Sequence, residues 1–194
     1  MTTADRLARS VHDLTAAAWF GGTLMGAVGV DGAAGAARDP RERTRLSALG
    51  WKRWRPVETA ALVAHGLSGA WLLRADRGRA AAREGAGRTA VAKAAVTVAG
   101  VAASAYSGYL GRQVEARAEE GGQGATEPRP GASPELAAAQ RRLKVLQWVN
   151  PALAGAVIVL GPSTAGCSGP GTCCAGCRGS RGGRDREARR PAQT

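Results

Sequence analysis

Charged residues leave four long gaps along this chain, and the gaps set its expected architecture. Leu7–Val30 is free of charge after Asp13 and holds Trp19, Gly21 and Gly22 in its middle. Val57–Leu73 carries only Glu58, at its entrance. Thr89–Gly111 is interrupted only by Lys93, and Val145–Leu160 carries no charge, though Asn150-Pro151 lies inside it. A helix needs about 20 apolar residues to cross a hydrocarbon core of about 30 Å. The first and third gaps meet that length; the second and fourth need tilt, local thinning or a flanking turn. The pattern predicts an all-α fold: a polytopic membrane protein with four transmembrane helices in a bundle over residues 1–160. Residues 161–194, rich in Gly, Arg and Ser, read as a disordered basic tail.

The flanks of the gaps agree with this reading. Trp51 and Trp54 stand just before the second gap, Trp71 near its far end and Trp148 near the start of the fourth. Those are the positions of an interfacial aromatic belt. Pro56 suits the first turn of a helix, where its missing N–H costs nothing. Gly22 and Gly26, and likewise Gly100 and Ser104, have the small-xxx-small spacing that lets a neighbouring helix come close. Between the gaps, Asp31–Arg55 is basic and expected to be partly helical on the membrane surface. Gly121–Pro134 has the Gly/Pro/polar make-up of a disordered linker. Pro134-Glu135 then opens a helix that runs into the fourth gap. Excluding the tail, the positive-inside rule places Asp31–Arg55 and Arg112–Lys144 in the cytoplasm and both termini outside.

Composition changes this picture little. The formal net charge is +12, which raises nucleic-acid binding. The arginines are scattered over every loop, however, and no basic stripe is interleaved with aromatics; headgroup-facing arginines account for the same count. The expected partner is the lipid bilayer of the cell membrane, with other membrane proteins or a second copy of the chain as further candidates, and no nucleic acid. The chain contains no P-loop, Gly-x-Ser-x-Gly or His-Glu-x-x-His pattern, and no catalytic constellation emerges.

Chemistry, if present, rests on few groups. His12 and His65 are the two histidines of the chain, and both fall in or at candidate spans. Ionisable groups inside lipid are costly and mark functional sites. Each could hydrogen-bond across the bundle, or ligate haem or copper through a neutral imidazole. Rise along the helices sets His12 about 5–12 Å nearer its membrane surface than His65, against a shared metal. Lys93 enters from the same side as His12; it either snorkels or pairs with Asp13. His12 and Trp19 are seven apart, with Gly22 and Gly26 nearly in line, so this face points into the bundle. Cys167, Cys173, Cys174 and Cys177 offer four thiols to zinc or copper, with no apolar residues to fold around an ion.

The stretch HDLTAAAWFGG, His12–Gly22, resembles the first-helix signature of the CopD-like (copper-resistance protein D-like) bacterial membrane families. Lys93 and the pair Arg141-Arg142 extend the likeness. The resemblance implies a four-helix membrane unit, copper handling in some relatives, and roles for His12, Trp19, Gly21, Gly22 and Lys93. A similar histidine and lysine occur in the haem-associated HemJ-type protoporphyrinogen oxidases. Two functional expectations follow. One is a non-enzymatic accessory membrane protein, copper-related by resemblance. The other is a haem-binding redox protein using His12, His65 or Lys93.

Overall fold

The computed structural model describes residues 2–80 and 86–161, and every described element is helical. The four cysteines and the proposed tail lie outside the described residues. Helix α1 (Thr3–Met25) starts at a reciprocal cap. The Thr2 hydroxyl accepts the Asp5 N–H at 3.2 Å, and the Asp5 carboxylate accepts the Thr2 N–H at 3.0 Å. A wider π-helical turn, Gly26–Val30, follows without a break and leads into α2 (Asp31–Gly35). Asp31 is buried there and accepts hydrogen bonds from Ser47 Oγ at 2.7 Å and Trp51 Nε1 at 2.9 Å. Burial pushes its carboxyl above the usual range, and these two donors oppose the shift.

Helix α3 (Pro40–Ala80) is one continuous element of 41 residues, about 62 Å long at helical rise. The basic segment before the second gap is therefore its first half. Pro56 sits in the helix interior rather than in the first turn, and α3 passes through it. Its ring removes one backbone bond, which the turns on either side outweigh. Helix α4 (Ala86–Ala116) covers the third gap. Helix α5 (Pro134–Val159) opens on Ser133, whose hydroxyl accepts the Leu136 N–H at 3.3 Å, and carries Pro151 inside it.

The four long helices alternate in direction. Helix α1 packs against α3 and α5, and α4 against α5; the α3–α4 seam is the thinner one. One apolar cluster, Leu110, Val114, Leu136 and Ala139, joins α4 to the start of α5. A second, Trp19, Ala154 and Val157, joins α1 to the end of α5.

The segment expected to be a disordered linker is ordered by polar ties instead. Gly121 and Gly131 turn the chain at φ +73° and +84°, where glycine alone is free of a Cβ clash. Gly122 donates to Pro40 O at 2.9 Å, Arg43 Nη1 to Gln123 O at 2.7 Å, and the Glu120 carboxylate takes Ser133 N and Oγ at 2.7 and 3.0 Å. Those last two bonds hold the Glu120 carboxyl below its ordinary range. Its folded value is depressed, so its contribution is fully present above the ordinary value of about 4.5 and is lost as pH falls below that, through the lower folded value. The protection factor of the Ser133 amide is expected to drop below pH 4, and a Glu120→Gln variant to show no such step.

Polarity is distributed unlike that of a soluble bundle. The described interior holds ten polar or charged residues beside twelve hydrophobic ones, of which only Trp19, Leu110, Val114, Leu136 and Val157 are large. Twenty-one large apolar side chains face outward, among them Leu14 at 71%, Leu67 at 69% and Val98 at 68% exposure. Among the described residues, one helix, over Arg88–Ala116, is by length and composition apolar enough to cross a membrane.

Candidate functional site

Helices α1 and α3 run antiparallel and are keyed together by size. Trp54 lies against Gly22 and Trp51 against Gly26, so that a Cβ at either glycine would overlap an indole ring. The glycine pair of α1 thus receives two indoles rather than a bare helix backbone. Trp51 and Trp54 are half-buried in this contact, whereas Trp71 and Trp148 stay outward at 53% and 54% exposure. Gly21 is on the outer side and a Cβ there meets nothing within 4 Å. It takes no part in packing, because it lies about 100° around the helix from Gly22.

This register brings His12 and His65 to one level. Their rings stack with centroids 3.9 Å apart and planes 17° from parallel. Each ring serves the other's helix: His12 Nδ1 donates to His65 O at 3.1 Å, and His65 Nδ1 donates to His12 O at 3.1 Å. Ser68 Oγ sits 3.4 Å from His12 Nδ1, and Gly69 leaves room for the His12 ring. The expected depth offset is absent. Helix α1 already starts at Thr3, about one turn before the expected Leu7.

A backbone carbonyl can only accept, so both Nδ1 atoms carry hydrogen and both Nε2 atoms present lone pairs. The Lys93 ammonium donates to His12 Nε2 at 3.1 Å. Asp13, the expected partner of Lys93, acts on it by charge. The His65 Nε2 is buried without a partner, and His65 is 3% exposed.

Trp19 closes the site from below. It is fully buried, and its ring centroid lies 6.5 Å from that of His65 at 57°. Its Nε1 donates to Ser104 Oγ at 3.3 Å, while its benzo edge fills the space beside Gly100. Gly100 and Ser104, one turn apart on α4, therefore form a socket for one indole. Glu58 lies close to Ser104 on the neighbouring α3. Sequence reasoning did not connect Ser104, Gly69 or Ser68 to the histidines; the usable signal was small residues facing large ones at matching helical spacing.

The ring geometry decides what a metal could do here. A metal lies in the plane of its imidazole about 2 Å from the nitrogen. Two nearly parallel planes 3.9 Å apart do not meet at such a point. His12 and His65 therefore cannot both hold one ion in this arrangement. His65 Nε2 would hold a metal only by itself, its ring oriented by the bond at Nδ1. Among the described residues, no group of three or more His, Cys, Asp or Glu is placed to hold a metal.

No protein family, curated protein or solved structure matches the chain.

Proposed function

We propose that the chain is a non-enzymatic accessory protein of the cell membrane, with all four long helices in hydrocarbon. The observation that carries this reading is the inverted polarity: small and polar residues inside, large apolar residues outside. A protein in water rarely exposes apolar area on that scale. In lipid, small residues and hydrogen bonds between helices hold a bundle together. The histidine pair with Lys93 is then its internal polar clamp, and the resemblance to CopD-like proteins supports a copper-related setting. The reading predicts that the protein stays with membranes through carbonate washing and dissolves only in detergent. Release into the aqueous phase overturns it.

A second reading has one observation in its favour: the buried, unpartnered Nε2 of His65, already oriented by the bond at Nδ1. It makes the protein a haem binder, in which His65 would hold the group and the bound group would supply one-electron chemistry. Detergent-purified protein would then show a Soret band that His65→Ala removes and Gly21→Ala leaves intact. A spectrum without such a band, after growth with added haem precursor, removes this reading and leaves the first.

A further inference from the structure

A cavity of about 900 Å³ opens along the thin seam between α3 and α4, with α5 behind it. Neither histidine lines it, so it is separate from the stacked pair. Its wall is graded. At one end stand Lys52, Arg55 and Arg112; at the other stand Val63 and Leu67, both outward-facing, at 56% and 69% exposure. The rise from Arg55 to Leu67 along α3 is about 18 Å. That is close to the depth of one leaflet, half of the roughly 30 Å hydrocarbon core.

The charged end is built to receive an anion. The Lys52 ammonium is taken by Glu115 at 2.6 Å. The Arg55 guanidinium reaches α4 beside Gly108 and Gly111, where any Cβ at Gly108 would strike it. Arg112 completes this end. Guanidinium groups bind phosphate with directed pairs of N–H donors. Glu58, deeper in the cavity, faces Arg55 by charge, so Arg112 is the guanidinium at this end that no carboxylate in the lining is shown to engage. An independent observation also points to a ligand. Asn150 is 6% exposed and lines the cavity; its Nδ2 donates to Ser107 Oγ at 3.0 Å, but its Oδ1 is buried without a partner. Asp31 Oδ2, also in the lining, is buried and unpartnered as well. Buried acceptors of this kind call for a donor, and a headgroup hydroxyl supplies one.

We propose that this cavity holds one anionic glycerophospholipid with a hydroxylated headgroup. Its phosphate sits on Arg55 and Arg112, its headgroup hydroxyls face Asn150 and Asp31, and one acyl chain runs along Val63 and Leu67. The inference rests on the membrane reading of the four helices, and carbonate extraction tests that reading separately. The experiment is native mass spectrometry of the full chain, delipidated in detergent and then offered phosphatidylglycerol or phosphatidylcholine. One phosphatidylglycerol per chain is expected to be retained, at least tenfold more tightly than phosphatidylcholine. Arg55→Gln removes that preference, whereas Arg53→Gln, on the outer face, keeps it. Val63→Trp fills the tail end and weakens both lipids without altering charge, and the circular dichroism of each variant reports its fold. Equal retention of the two lipids, an unaltered preference in Arg55→Gln, or displacement by free glycerol phosphate at the lipid's own concentration overturns the proposal.

Discussion

Trp19→Ala is expected to lower the unfolding free energy by about 3–5 kcal/mol, the range for deleting a large buried aromatic. The indole touches every long helix that meets in the middle of the bundle. It is carried by α1, fills the socket at Gly100 and Ser104 of α4, approaches His65 of α3, and packs with Ala154 and Val157 of α5. Its removal leaves a void that four helices border and that none can close alone. Trp19→Phe retains most of the volume and loses the bond to Ser104, for a cost of about 0.5–1.5 kcal/mol beyond packing. Trp71→Ala, at an outward position of 53% exposure, is expected to cost far less. Reversible unfolding in mixed detergent micelles, titrated with a denaturing detergent, measures all three. A Trp19→Ala protein as stable as Trp71→Ala would show that the indole is not the centre of the bundle.

The second large effect separates two adjacent glycines. Gly22→Ala places a methyl group inside the Trp54 ring, and Gly26→Ala does the same to Trp51. An indole wedged between two helices cannot step aside cheaply, so each is expected to destabilise by about 1–3 kcal/mol, as overpacking does. Gly21→Ala meets open space. It should be neutral or stabilising by up to about 1 kcal/mol, since alanine is the better helix former. The same titration reads the contrast, and equal effects at Gly21 and Gly22 would remove the indole-in-glycine account of the α1–α3 contact.

These two cases show what was legible beforehand. The face carrying His12, Trp19 and Gly26 followed from spacing alone, because positions seven apart fall nearly in line on a helix. The buried set His12, Ala16, Trp19 and Thr23 is that face. Helical class and the four long elements followed from the gaps between charges. The pairing of Trp51 and Trp54 with glycines did not, because a tryptophan beside a basic run has the composition of an interfacial anchor. What decided it was an indole spacing of three on α3 facing a glycine spacing of four on α1, a match that needs the antiparallel register first. The level of His12 against His65 was missed for a related reason. Depth was counted from the ends of uncharged runs, whereas α1 and α3 both extend well beyond them. Gly121–Pro134 was misjudged because composition counts apolar burial, and this segment is held by Glu120, Arg43 and backbone bonds.

The reciprocal bonds of the two histidines carry a mechanical consequence. Together with the Trp54–Gly22 and Trp51–Gly26 contacts, they fasten α1 to α3 at three levels, and Asp31 fastens the following α2 to α3 through Ser47 and Trp51. Sliding one helix past the other by a single turn, about 5.4 Å, breaks every fastening at once. The two helices therefore travel as one plank. Any opening of the bundle is expected first at the thinner α3–α4 seam, where the Lys52–Glu115 pair is among the ties it would break.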